Sequence, residues 1–444
     1  MLLRVIINNL FSFKEQTEFN MFTNKSQKHL HHKKHIGDIS YLKMAALYGA
    51  NGAGKSNFIK ALGLLVYCVK SGKIVSHAEE LKFKLDEDDK ESPISIGVEF
   101  VADDAVFYYS ISFDQSGILY EYLSKGNANN EKRIFERSFD NGKENISFYE
   151  DFEEDPKNKL FIEMLSEKFV GRNELLLCIL NDKYAKDYIE VPIAYQWLTD
   201  TLKVIRADDQ SIPIAHVMEA NKNVLDYANS LIGRLSTGVD GLSVRTYELQ
   251  KTEENTIIFN NLDKNPNAIS ETRNGLTGDI ISYVKDGDKI IAKKINTSHL
   301  DSNGNQIEFG LGLESDGTQR LVDFIPVIYG MLNNKHVYVI DEIERSIHPI
   351  IIKELISLIS NNKKMNGQII FSTHESCLLD QSILRTDEIW FAQKDSNGAT
   401  QLYSLSDYNV HSTANIENGY LNGRYGGIPF LSNLSDIHWA DGEE

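Results

Sequence analysis

The chain has no run of the about 18 apolar residues that a membrane-crossing helix needs, so no helical span is expected in its 444 residues. The N-terminal stretch MLLRVIINNLFSFKEQ lacks a basic region followed by an apolar core and a small-residue cleavage site. It reads as a first strand and not as an export signal, and a cytoplasmic protein is expected. Cysteine is scarce. Cys68, Cys178 and Cys377 stand far apart in apolar surroundings. They suit core thiols in a reducing compartment better than disulfides or a cysteine-bound metal. Positive charge is also short. Lys and Arg total 46 against 64 Asp and Glu, a net charge of −18, which repels nucleic acid unless basic residues gather locally. The clearest such gathering is Lys25–His35, KSQKHLHHKKH. It reads as a solvated loop between two early strands, with a phosphate or partner contact as the sharper alternative. Zinc is disfavoured there, because the histidines lack cysteine partners and a recognisable ligand spacing. No heptad repeat is sustained, which excludes a long coiled-coil arm. Neither an internal repeat nor a low-complexity linker is present. Hydrophobic content of 41% and charged content of 25% are those of a globular protein, and the length calls for two or three lobes.

What the chain does have is concentrated in Leu47–Phe58, LYGANGAGKSNF. Gly49 to Ser56 matches G-x-x-x-x-G-K-[ST] at every fixed position. The apolar run Met44–Tyr48 before it reads as a buried strand. After it, Phe58, Ile59, Ala61, Leu62, Leu65, Val66 and Val69 recur at helical spacing. Strand, glycine loop and helix together aim backbone N–H groups and a helix N-terminus at phosphate oxygens. Gly49, Asn51, Gly52, Ala53, Gly54, Lys55, Ser56 and Asn57 are therefore the candidate nucleotide-binding residues. Lys55 would reach the β- and γ-phosphates, and Ser56 would offer its hydroxyl to Mg²⁺.

The rest of the N-terminal third reads as strands: Leu3–Ile7, Ile94–Phe100, Val106–Phe113 and Ile118–Leu123, with a turn at Asp114–Gly117. The acidic run Asp86–Glu91 reads as an exposed turn. From about 156 to 235 the pattern is helical, up to and including Leu202, Val204 and Ile205. Short strands follow at Ile257–Phe259, Ile280–Val284, Lys289–Ile295 and Ile307–Phe309. The last third alternates again: a helix over Thr318–Leu332, a strand over Val337–Ile340, a helix over Ile350–Ser360, a strand over Gln368–His374 and another over Glu388–Ala392.

Asp341 and Glu342 end the fourfold apolar run Val337–Ile340. Asp341 would hold Mg²⁺, and Glu342 would polarise an attacking water beside the γ-phosphate. His374 closes a neighbouring strand after Ser372-Thr373. At a strand's carboxyl end, where ligands gather in open α/β sheets, it would touch the γ-phosphate or the water. Glu342 and His374 are the candidate catalytic residues, and Ser56 and Asp341 the candidate metal ligands.

These residues carry a resemblance. Gly49–Ser56, Glu314–Gln319, Val337–Glu342 and Ser372–His374 together resemble the Walker A, signature, Walker B and switch-histidine set of ABC-type ATPases, in their SMC-like and OLD-like branch. The segment Ser315–Thr318 departs from the usual LSGGQ signature, as in that branch. Glu314–Arg320, Asp341–Pro349 and Tyr420–Pro429 are similar to the ESxGTxR, DExxxSxHP and YLxGRYGxIP patterns of a bacterial AAA ATPase family. The coupling glutamine of the Q-loop is not assignable. The resemblance implies an α/β head with a mixed sheet and a helical insertion. It implies an N-terminal lobe over 1–155, a helical and β insertion over 156–300, and a C-terminal lobe over 301–444. It implies ATP and Mg²⁺ as cofactors and a head-to-head homodimer or higher oligomer. In such a dimer Ser315, Gly317 and Thr318 would act in trans on the partner's nucleotide. Members of the family often stand beside a nuclease in anti-phage or plasmid-exclusion systems; nucleic acid or a phage protein is the trigger expected for this chain. A fused Toprim nuclease would need a glutamate and a D-x-D pair for metal. The 70 residues after His374 contain no D-x-D. The expectation is an ATPase sensor and scaffold controlling a separate nuclease. A repair-type DNA-processing ATPase is the alternative, disfavoured by the acidic charge and the missing arms.

Overall fold

The computed structural model describes residues 1–86, 92–126, 130–140, 142–149, 154–186, 188–207, 213–235, 237–408, 410–411 and 414–428. Residues 87–91 of the acidic run, and Pro429 of the YLNGRYGGIP stretch, lie outside them. The fold is α/β with mixed and antiparallel sheets. Two compact units interleave along the chain: 1–206 with 336–342 and 368–444, and 207–335 with 343–367.

Among its described residues the first unit holds two large sheets and a small hairpin of 33–36 with 39–42. One is antiparallel, in the order 143–148, 132–140, 117–125, 105–114, 94–102, 2–8, 17–20. Its strands alternate as a sheet with one covered face should: along Ala105–Asp114 the side chains of Phe107, Tyr109, Ile111 and Phe113 are buried and those between them are not. The expected turn is a hairpin in which Asp114 pairs with Gly117. The Asp114 carboxylate accepts from the Ser116 N–H at 2.7 Å, and Gly117 takes φ +124° against the Arg172 carbonyl. The other sheet runs 202–205, 337–340, 368–372, 44–48, 389–394, 400–404, parallel except for its last pair. Its inner strands are apolar throughout, because both faces are covered: Met44–Tyr48 and Val337–Ile340 are buried at every position. The Lys55–Ser71 helix buries Phe58, Ile59, Leu62, Leu65 and Val66 in a core shared with both sheets. It stops at Gly72, whose φ of 70° suits a glycine cap.

Gln368 joins the two sheets. Its fully buried amide accepts from Leu2 N–H at 2.6 Å and donates to the Leu2 and Leu42 carbonyls at 2.9 and 2.8 Å. Gln368→Leu removes all three bonds. With about 1–3 kcal/mol at stake for each buried polar group left unpaired, a loss of about 3 kcal/mol is expected, read as a lower urea midpoint. A midpoint equal to wild type would show that the amide is dispensable.

The second unit has a sheet in the order 241–248, 289–300, 280–286, 270–273, with 306–310 also paired to 289–300. Helices 214–220, 222–232, 256–264, 316–333 and 349–360 complete its described part.

Three sequence expectations need correction. Leu202–Ile205 is a strand and not part of a helix: it pairs in parallel with Val337–Ile340, Leu202 opposite Val337. The partner is remote in sequence, so no local periodicity could reveal it. Ile257–Phe259 is helical, within Thr256–Lys264. Ile258, Phe259 and Leu262 form one helical face around Tyr283 and Ile290. The Lys25–His35 stretch is not simply a solvated loop. His32 is buried, with Nδ1 2.8 Å from the fully buried Glu388 carboxylate. Lys28 Nζ donates to Gln381 Oε1 at 2.6 Å. Charged residues distant in the chain pull this segment inward.

Among the cysteines, Cys68 and Cys178 are buried and Cys377 is half-buried, all as free thiols. Burial pushes the Cys68 thiol up to about 12 and the Cys178 thiol up as well. No helix among the described residues is long and apolar enough to cross a membrane.

Candidate active site

The Met44–Tyr48 strand runs between Gln368–Ser372 and Ile389–Lys394. The chain leaves it at Gly49, where a Cβ would stand 2.5 Å from the Ala392 carbonyl oxygen. Gly54 closes the loop at φ +110°, and a Cβ there would lie 2.7 Å from Thr400 Cγ2. These two contacts, rather than general flexibility, require glycine. The helix starts at Lys55, so its N-terminal N–H groups face the loop. Lys55 is buried, and its Nζ donates to the Gly49 carbonyl at 2.7 Å and the Ala50 carbonyl at 3.2 Å. The ammonium is thereby folded over the loop, where phosphate oxygens would replace the carbonyls. Asn51 and Gly52 are exposed, Ala53 is buried and Ser56 is half-buried. Asn57 turns its amide toward Ser12, donating to Oγ at 2.8 Å.

Asp341 follows the Val337–Ile340 strand and is 4% exposed. Its Oδ1 accepts from Ser372 Oγ at 2.5 Å. The same hydroxyl accepts from the Glu342 N–H at 2.8 Å. Glu342 itself has φ +47°. A side chain in that region costs on the order of 1–3 kcal/mol and persists where the surroundings hold it, often at functional sites. Here the Ser372 hydroxyl holds the backbone through the Glu342 N–H. Ile340 pairs with Phe371, and Ser372 with Leu47. Asp341, Thr373 and Gly49 thus leave three adjacent parallel strands at one edge, within two strand spacings or about 10 Å. His374 emerges exposed at that same edge.

The donor set suits a hard, small cation. Ser56 offers a hydroxyl and Asp341 a carboxylate, the oxygen ligands that Mg²⁺ takes together with water and phosphate. The glycine loop, in which a Cβ would collide at two positions, has the close-packed backbone that a phosphate cradle would need.

In the second unit, Ser315 caps the Asp316–Asn333 helix. Its Oγ accepts from Thr318 N–H at 3.2 Å and lies 3.0 Å from Thr318 Oγ1. Glu314 is pinned from the other side by Thr297 Oγ1 and His299 Nε2, both at 2.6 Å. Ser315 and Asp316 are exposed, Gly317 is half-buried and Thr318 is buried. A Cβ on Gly317 would meet the Ser346 carbonyl oxygen at 2.6 Å. Gly317 therefore lets the signature turn pack on the segment after the two acids, and the Thr318 hydroxyl serves the cap.

A family model described as "AAA domain, putative AbiEii toxin, Type IV TA system" matches residues 44–176 and 179–380. The chain belongs to this AAA family. A search of curated proteins gave no match. Among solved structures the AAA chain is similar to an SMC head bound to the C-winged helix domain of ScpA, at 13% identity and a TM-score of 0.43, covering 91% of this chain and 97% of that one. It is also similar to the SMC head domain from Thermotoga maritima, at 13% and 0.39, covering 91% and 98%. A third is the Smc head with an extended coiled coil bound to the C-terminal domain of ScpA from Pyrococcus furiosus, at 12% and 0.40, covering 91% and 96%. Superpositions this loose carry no inference about chemistry or partners.

Two residues of the AAA site escape the motif. Thr400 Oγ1 lies 2.8 Å from Ser12 Oγ and donates to the Ala53 carbonyl at 2.9 Å, and Thr400 N–H donates to the Ser12 carbonyl at 2.7 Å. Ser12 and Thr400 thus brace the phosphate loop from opposite ends of the chain. Neither position has a sequence signal. The Tyr420–Gly427 turn also belongs here. Tyr420 and Tyr425 are buried, Tyr420 stacks on Phe391 at 5.6 Å, and a Cβ on Gly427 would lie 3.7 Å from Gly49 Cα. Its glycines and aromatics pack on the protein's own core, behind the glycine loop.

Proposed function

We propose that the chain binds ATP with Mg²⁺, hydrolyses it, and acts as the sensor and scaffold ATPase of an anti-phage system that controls a separate effector nuclease. One observation supports the hydrolysis: the glycine loop leading to the Lys55–Ser71 helix, the acids Asp341 and Glu342, and Thr373-His374 all follow the carboxyl ends of three adjacent parallel strands. Lys55 and the helix N-terminus supply positive potential for the phosphates. Ser56 and Asp341 would hold Mg²⁺, which neutralises charge on the leaving phosphate. Glu342 would take the proton of the attacking water, and His374 would contact the γ-phosphate or that water.

The family description names a toxin–antitoxin system, a two-gene arrangement, which supports a partner encoded beside this chain. The net charge of −18 argues against a DNA-wrapping repair ATPase. Coupling would run through a homodimer in which Ser315 and Gly317 approach the nucleotide held by the partner's Lys55. ATP can shift an open–closed equilibrium only by contacts that differ between the two states, and a signature reaching across supplies such a contact.

The purified chain should hydrolyse ATP and cut neither DNA nor RNA, and phage protection should require it together with an adjacent gene. DNA cleavage by the chain alone, or full protection by the single gene, would reject the effector arrangement. Ser315→Arg should bind ATP normally and fail to hydrolyse it. Mixing Ser315→Arg with Lys55→Ala should restore one working site per heterodimer, since each keeps the half that the other lacks. Normal turnover by Ser315→Arg alone would mean that sites are not shared.

A further inference from the structure

The spacing of the Lys25–His35 histidines in the sequence disfavours zinc, yet the fold brings three of them together. We propose that His29, His31 and His32 form a binding site for a late first-row divalent cation, zinc being the cellular candidate, separate from the magnesium site. One ring nitrogen from each lies within 4.8 Å of the other two, and no other such trio of His, Cys, Asp or Glu is found among the described residues. The rings are gathered by backbone, not by chance rotamers. His29 takes φ +44°, and a single 3-10 turn follows over Leu30–His32. The His29 and His32 rings stack at 4.9 Å, with His31 edge-on to them at 5.8 and 4.6 Å.

The second observation is the outer partners. His32 Nδ1 lies 2.8 and 3.1 Å from the two oxygens of the fully buried Glu388 carboxylate. His29 Nε2 lies 3.0 Å from the Gln381 carbonyl oxygen. Ligand histidines are characteristically held this way: an oxygen on one ring nitrogen fixes the tautomer and makes the other nitrogen the better donor to a cation. Nearby cations are turned toward oxygens. Lys28 Nζ donates to Gln381 Oε1 at 2.6 Å, Lys33 Nζ to the Ser26 carbonyl at 3.1 Å, and Arg385 to both Asp387 oxygens at 2.8 and 2.7 Å.

Imidazole donors select zinc, copper, nickel or iron over magnesium. Zinc–nitrogen bonds of about 2.0–2.1 Å place ligands about 3.3 Å apart, so closure needs ring movements of about 1 Å. His29 and His31 are half-buried, which leaves the ion a path, and water would complete a three-histidine set. Such an ion would fasten the turn to the Gln381–Glu388 segment. That segment leads from His374 into the Ile389–Lys394 strand beside the glycine loop.

The test uses the full chain, stripped with a chelator and titrated with zinc without nucleotide. One zinc per chain is expected by calorimetry and by metal analysis after gel filtration, with a higher melting temperature. His31→Gln should weaken binding at least about tenfold, and Asp341→Asn should leave it unchanged. Cobalt on the wild-type chain gives a reading that needs no variant: visible ligand-field bands of low-coordinate nitrogen ligation are expected. An octahedral aqua-type cobalt spectrum, no stoichiometric zinc, or zinc binding indifferent to His31→Gln, that is, an adventitious ion only, would overturn the proposal.

Discussion

Glu342→Gln should bind ATP as the wild type does and hydrolyse it about 100-fold more slowly or worse, because the attacking water loses its base. The amide preserves size and leaves the hydrogen bond from the Glu342 N–H to Ser372 intact, so the left-handed backbone at this position is retained. ATP-bound dimers should accumulate, visible as a higher apparent mass in ATP that reverts in ADP. Single-turnover kinetics separates the chemistry from product release. Turnover near the wild-type rate would move the base elsewhere, with His374 the first residue to test. Ser372→Ala adds a graded comparison. It removes the hydroxyl that holds both Asp341 Oδ1 and the Glu342 N–H, so it should lower the rate while keeping the base.

Lys55→Ala should weaken ATP binding at least about 100-fold, since hydrogen bonds to a charged group are worth about 1.5–3 kcal/mol each. The same ammonium satisfies the Gly49 and Ala50 carbonyls. The substitution therefore also unties the loop, and a melting curve must accompany the binding measurement. A variant that folds normally and binds ATP with unaltered affinity by calorimetry would sink the phosphate-loop assignment. Thr400→Val offers a milder probe. It deletes the bonds to Ser12 and to the Ala53 carbonyl without touching the motif.

Much of the catalytic edge was legible because it is written in short segments. The glycine loop announces itself by spacing, and its flanks by an unbroken apolar strand and a helical stripe. Val337–Ile340 followed by two acids is equally local: a strand covered on both faces must be apolar throughout, so the first polar residues mark its end. Gln368–Ser372 is read on the same ground. The hairpin at Asp114–Gly117 follows from turn chemistry at adjacent positions. Where pattern and environment are both local, periodicity suffices.

Other features depend on partners far along the chain. Leu202–Ile205 has the composition of either state, and only pairing with Val337–Ile340 makes it a strand. Ile257–Phe259 is β-branched and aromatic, yet Leu262 completes a helical face that packs on Tyr283 and Ile290. The basic stretch at 25–35 looks solvated until Glu388, Arg385 and Asp387 arrive beside it from the other end of the chain. The turn at Tyr420–Gly427 is only a family pattern in the sequence, and the fold alone stacks its tyrosines on Phe391.

The sequence by itself determined the candidate chemistry: a phosphate-loop pattern, two acids and a histidine at strand ends, and no D-x-D pair in the stretch after His374. Tertiary structure decided which residues support that chemistry. Ser12, Thr400 and Ser372 act through two or three hydrogen bonds each across hundreds or tens of positions, and Gly317 through one close backbone approach to Ser346. Hydrophobic periodicity records which face of an element is buried, because burial repeats with the turn of a helix or the pleat of a strand. A lone hydroxyl or a missing Cβ repeats with nothing, so its meaning exists only once the distant partner is in place.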